Sequence, residues 1–190
     1  HPDAINQIFY QIWHHRNWLA NLQTGVSVKE EKTWWRGVVW DVFKEVGGIE
    51  AFDEFFEELY YSFASKDTWK VFDEVAEILV EFKKTGVFIG IISNWDSRLL
   101  SICASLEIDQ YFDGIFVSAL VGFAKPDVRI FQKALDTAGV LPHEAIHVGD
   151  SLEDDYYGAQ GAGLEAYFLD RSGNAKYSKV STIRSLKELL

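Results

Sequence analysis

The chain has no methionine, a single cysteine and only three prolines among its 190 residues, and 29 acids outnumber its 18 lysines and arginines. Each shortage excludes something. One thiol, Cys103, cannot close an intrachain disulfide; in its apolar helical stretch it reads as a buried structural cysteine of a reducing compartment. A formal net charge of −11 repels nucleic acid and anionic membrane surfaces alike, so neither is expected as a partner. No apolar run approaches the roughly 20 residues that a membrane-spanning helix needs, and no signal peptide opens the sequence, so a cytoplasmic location is expected. The missing methionine, with His1 in first position, reads as a sign of a truncated chain.

What is present is ordinary for a globular protein: 48% hydrophobic and 25% charged residues, sufficient for a core without disulfides or a structural metal. The first third shows helical spacing and no strand. Ile5, Ile8, Phe9, Ile12 and Trp13 recur on one face, and Trp34, Val38, Val42 and Val46 on another. The Gly47-Gly48 doublet ends that second helix, and residues 49–62 carry a third apolar stripe of Phe52, Phe55, Phe56 and Leu59. Most of these rings are expected in a core, with Trp34, Trp35 or Trp69 as candidates to line a substrate entrance instead.

From about residue 67 the pattern alternates between helices and short apolar strands. Helices are expected at 73–85, 98–106, 126–138, 154–162 and 183–190, and strands at 87–92, 114–118, 145–148 and 165–169. Such alternation predicts an α/β fold, a doubly wound parallel sheet covered on both faces, whose ligands bind beyond the carboxyl ends of the strands. Residues 1–66 then form a helical cap and residues 67–190 the α/β core.

Three elements at those strand ends carry chemistry. The apolar run at 87–92 leads directly into Ser93 and Asn94, where a hydroxyl and backbone N–H groups before a helix suit a phosphoryl group; alone, the same pair would also serve as a turn or cap. Lys125 stands immediately before Pro126, a residue suited to the first position of a helix, while Asp127 complements the helix dipole. A cation so placed can offset the charge of a carboxylate nucleophile and of the phosphoryl oxygens. The strongest element is Ile146-His147-Val148-Gly149-Asp150-Ser151, in which an apolar strand ends on an acid, with Asp154 and Asp155 one helical turn later. Hard carboxylate oxygens at such a place are what magnesium prefers, and the small residues that follow let the helix approach the sheet; His147 reads as core.

In this order, Ser93, then Lys125-Pro126-Asp127, then Gly149-Asp150-Ser151 with Asp155 resemble the later motifs of the haloacid dehalogenase (HAD) superfamily of hydrolases. The resemblance implies a HAD-like Rossmannoid core under a helical cap. It implies a magnesium-dependent (Mg2+) phosphatase acting through an aspartyl-phosphate on a small phosphorylated metabolite. Ser93 and Lys125 would be catalytic, Ser93, Asn94 and Lys125 would bind the phosphoryl group, and Asp150, Asp155 and Asp154 would surround the metal. Within that set Asp155 would ligate through water or orient Lys125, and Asp154 could exchange roles with it. Relatives that cleave carbon–halogen bonds need no magnesium, so the acid-rich stretch 149–155 favours a phosphatase over a 2-haloacid dehalogenase.

The family's first motif, an apolar strand followed by Asp-x-Asp-Gly-Thr, is missing. Asp41 follows an apolar run, but Phe43 stands where the second acid should be and no Gly-Thr follows. The expected sheet therefore lacks its first, central strand as well as its nucleophile. Two readings follow: a truncated phosphatase, inactive as it stands, or a catalytically dead phosphate-binding or protein-interaction module.

Overall fold

The computed structural model describes residues 2–16, 26–174 and 177–190; the side chains of residues 2, 3 and 13–16, Trp13 of the first apolar face among them, lie outside the described residues. Three helices open the chain: α1 (Pro2–Arg16), α2 (Val28–Glu45) and α3 (Phe52–Ser62). A capping box starts α2. The Ser27 hydroxyl accepts from the Glu30 N–H, and the Glu30 carboxylate accepts from the Ser27 N–H at 2.8 Å. The helix stops at the Gly47-Gly48 doublet, where both residues take positive φ. α3 begins at Phe52 rather than at 49, because Ala51 before it is left-handed. Its Phe52, Phe56 and Tyr60, four residues apart, are buried together against Trp35, Val39 and Phe55.

After α4 (Val75–Thr85) the chain builds two parallel sheets. One pairs β1 (Gly90–Ser93) with β2 (Gly114–Val117), and the other runs β3 (Ile146–Gly149), β4 (Glu165–Leu169), β5 (Thr182–Ile183). Among the described residues β1 bonds only to β2, and β3 only to β4, so each presents one unpaired edge. This corrects the expectation of a buried strand at 87–92. Strand pairing begins only at Gly90, and Val87 (50% exposed), Phe88 and Ile146 are exposed, with no described strand on the free edges of β1 and β3.

One core nevertheless spans both sheets. From α7 (Val128–Ala138), the fully buried Ile130 and Phe131 pack with Tyr156, Ala159 and Ala166, and with Ile92 of β1 and Phe168 of β4. The remaining helices are α5 (Arg98–Ser105), α6 (Ser118–Val121) and α8 (Gly158–Gly161). Cys103 of α5 is buried as expected, which pushes its thiol up.

Other boundaries also differ from the sequence pattern. α7 starts at Val128, not Pro126, because Asp127 is its N-cap: its side chain accepts from the Arg129 N–H at 2.9 Å. Asp127→Ala is expected to cost about 1 kcal/mol of stability, read from urea denaturation. The helix expected at 154–162 opens earlier as a π-helical turn, Leu152–Tyr157, in which the N–H groups of Asp155 and Tyr156 both reach the Ser151 carbonyl. The terminal helix expected at 183–190 is replaced by β5 and a 3-10 turn, Leu186–Leu189. There, pairing with β4 overrides local periodicity: the Phe168 N–H donates to Ser181 and the Asp170 N–H to Ile183, each at 2.8 Å.

Candidate functional site

Ser93 ends β1 and Asp150 follows β3, so the two unpaired strand edges carry the candidate residues at their carboxyl ends. Asn94, next to Ser93, holds the backbone of Lys125 from both sides. Its Oδ1 accepts from the Lys125 N–H at 2.7 Å, and its Nδ2 donates to the Lys125 carbonyl at 2.8 Å. The side-chain contribution of Asn94 is thus to position Lys125.

The Lys125 ammonium forms an ion pair with Asp155, whose side chain is 5% exposed. Asp155 also accepts from the Ser151 N–H at 2.9 Å and lies 3.0 Å from His147 Nε2. Burial alone would raise the Asp155 carboxyl, but the bond from His147, the Lys125 charge and bond, and the Ser151 N–H outweigh it and hold the group well below the usual carboxylate range. An ionised carboxylate only accepts, so Nε2 of His147 carries the proton between them.

Gly149 makes this arrangement possible. A Cβ there would fall 2.1 Å from Asp155 Cγ, closer than any two such carbons approach. Gly149→Ala must displace Asp155, and a loss of about 1–3 kcal/mol is expected in chemical denaturation. Gly158, further along the chain, permits a similar close approach: a Cβ would lie 3.0 Å from Pro126 Cα, so α8 packs directly on the segment that carries Lys125.

The acids of the third element separate by environment. Asp155 is committed to Lys125, His147 and Ser151, while Asp150 is exposed and forms no hydrogen bond or ion pair with any described residue. Asp154 is half-buried, and burial, then the adjacent Asp155 charge, pushes its carboxyl up. No three acid, histidine or cysteine side chains group as a closed metal site among the described residues. Of the candidates, the structure therefore brings together Asn94, Lys125 and Asp155, while Asp150 stands exposed at the end of β3, in the same segment as Asp155.

Sequence reasoning missed two residues here. His147 was expected in the core, and its ring does meet Phe131 edge-on at 5.1 Å, but its Nε2 faces Asp155. The signal was available in strand periodicity: His147 and Gly149 are two apart, so both address the same side, where Asp155 sits. Ser151 caps the π-helical turn by accepting from the Asp154 N–H at 3.1 Å.

A second buried polar cluster ties the opening helices to the segment after Asn94. Glu31, fully buried on α2, accepts from the Ser97 N–H at 3.1 Å and from its hydroxyl. Burial pushes the Glu31 carboxyl up despite those bonds. Trp35 Nε1 donates to Asp96 at 2.6 Å, and Arg98 chelates Asp96 while donating to the Tyr60 carbonyl at 2.8 Å. Trp34 instead packs with Trp95 against Val117 and Ala119, and Trp69 meets Trp95 edge-on at 5.1 Å.

The family profile described as "Hydrolase: haloacid dehalogenase-like hydrolase" matches residues 3–163. The chain belongs to this family. Among other haloacid dehalogenase-like proteins, haloacid dehalogenase-like hydrolase domain-containing protein 3 of Mus musculus is 35% identical over 167 residues, 84% of this chain and 66% of that protein. The chain thus spans just under two thirds of that relative. A glyceraldehyde 3-phosphate phosphatase of Pyrococcus furiosus is 35% identical over 111 residues, 55% of this chain and 42% of its own length. The crystal structure of a dehalogenase with an intermediate complex superposes with a TM-score of 0.79 at 21% identity, covering 98% of this chain and 82% of that one. That likeness establishes the fold, and the expected α/β core is the one observed. No helix among the described residues is long and apolar enough to cross a membrane.

Proposed function

We propose that this haloacid dehalogenase-like hydrolase is the phosphate- and magnesium-binding portion of a phosphatase acting on a small phosphorylated metabolite. The observation that carries the reading is Lys125: a nearly buried cation, held by Asn94 and Asp155 at the mouth of two unpaired strand edges. The resemblance of a stretch of the chain to a glyceraldehyde 3-phosphate phosphatase supports it. Residues 1–66 act as a cap over the core of residues 67–190.

In this reading an aspartate-bearing strand, provided from outside these 190 residues, pairs with the free edges of β1 and β3. Lys125 and Ser93 hold the phosphoryl oxygens while an aspartate oxygen attacks phosphorus. The ester P–O bond breaks, the leaving oxygen takes a proton from a neighbouring acid, and water then hydrolyses the aspartyl-phosphate to free phosphate. Asp155 acts indirectly, by holding Lys125 in place.

The donor set fits magnesium, which takes one or two carboxylates beside water and phosphate oxygens: Asp150 has free oxygens, and Asp154 is the second acid. Bound there, the ion would offset repulsion between the nucleophile and the phosphoryl group. Asp155, already saturated, would reach it only through water.

The test is hydrolysis of 4-nitrophenyl phosphate, with and without magnesium, by the 190-residue chain alone and joined to an aspartate-bearing strand. Turnover only in the joined form, abolished by Asp150→Asn, is the expected result, with circular dichroism confirming that the variant folds. If the joined form is inert yet binds phosphate, the chain is a phosphate-binding or protein-interaction module. Metal-independent release of halide from a 2-haloacid would make it a dehalogenase.

A further inference from the structure

A cavity of about 570 Å³ lies between α1, α2, α3 and the segment after β1, within the size range of small-molecule sites. It reaches Asn94, the residue that positions Lys125, so it adjoins the phosphate-binding end. Its wall is formed largely by rings and aliphatic chains, among them Phe9, Trp35, Phe43, Phe55 and Leu59. The charged residues lining it, among those described, are Asp96 and Arg98, and these are spent on each other, on Trp35 and on the Tyr60 carbonyl.

Two further wall residues hold a buried polar atom with no hydrogen-bond partner among the described residues: Tyr60 Oη and Trp95 Nε1. Tyr60 is 6% exposed. Both atoms are themselves occluded, so the surface that the cavity presents stays largely apolar.

Resting on the phosphatase reading above, we infer that the cavity receives the leaving group of the substrate, and that this group is a bulky, uncharged, ring-bearing alcohol or phenol with few polar atoms. A sugar would bring several hydroxyls into a largely apolar wall, and a second phosphate or a carboxylate would meet no free cation among the described residues. A fused ring system fills the aromatic wall and loses little on leaving water.

Calorimetric titration of the 190-residue chain with inorganic phosphate, glucose 6-phosphate and 2-naphthylmethylphosphonate separates the two readings. The expected result is binding of the naphthyl compound at least tenfold tighter than phosphate, with glucose 6-phosphate no tighter than phosphate. Leu59→Asp, which places a charge in the wall, should remove the naphthyl preference and leave phosphate affinity unchanged. Phe43→Lys serves the same purpose if that variant does not fold. Equal affinities for all three, or preference for glucose 6-phosphate, overturn the leaving-group inference while the phosphate site stands. Failure of phosphate and phosphonate alike removes the phosphate site and the inference with it.

Discussion

Lys125→Met is expected to destabilise the chain by about 3–5 kcal/mol, because it leaves the Asp155 carboxylate buried without its cation. The side chains of Lys125 and Asp155 are 11% and 5% exposed, so water cannot take the place of the missing partner. His147 and the Ser151 N–H remain as the other partners of Asp155. The double variant Lys125→Met, Asp155→Leu removes both charges and should recover most of the loss, since apolar replacements for a buried pair are often neutral. Urea denaturation of the two single variants and the double variant gives the coupling energy directly. A single-variant loss under about 1 kcal/mol, the value of an exposed pair, would mean that the two groups are solvated in solution.

The same pair sets an acid limit. The Asp155 carboxyl is held below its unfolded value, which is about 3.9. Its contribution is therefore complete above pH ~4 and is lost as pH falls through the depressed folded value. Asp155→Asn should flatten the stability profile below pH ~4, where that carboxyl titrates. Phosphate affinity in Lys125→Met should fall at all pH values, because the cation itself is gone.

Phe131→Ala is expected to cost about 3–5 kcal/mol as well, this time through packing. Phe131 is fully buried in the cluster that joins Ile92 of β1 to Ala166 and Phe168 of β4, so truncating it opens a void where one helix holds two sheets together. Its ring also meets His147 edge-on at 5.1 Å, and a Cβ at Gly158 would lie 3.2 Å from it. The void therefore adjoins the supports of both Asp155 and Lys125. Thermal denaturation should show the stability loss, and the histidine ring protons should shift in NMR spectra. Unchanged His147 resonances would show that the ring is positioned by Asp155 alone.

Much of this protein was legible locally. Periodicity in the first third marked the three helices, since an amphipathic helix repeats its buried face within its own sequence. The Gly47-Gly48 doublet marked the end of the second. The alternation of helix and apolar strand marked the parallel α/β core, and the placement of Ser93, Lys125 and Asp150 at strand or turn ends marked a candidate site and the family.

What tertiary structure alone decided involves partners far apart in the chain. Trp35 reaches Asp96 across 61 positions and Glu31 reaches Ser97 across 66, and no local pattern announces either contact. The choice between Asp154 and Asp155 depended on the π-helical turn that aims Asp155 at Lys125, a rotation of one residue that spacing cannot resolve. Val87 and Phe88 read as buried from their composition, yet their exposure depends on which strand lies alongside, and that is a property of the sheet. Local sequence determined what each segment could become; burial, pairing and charge compensation between distant segments determined which groups became a site.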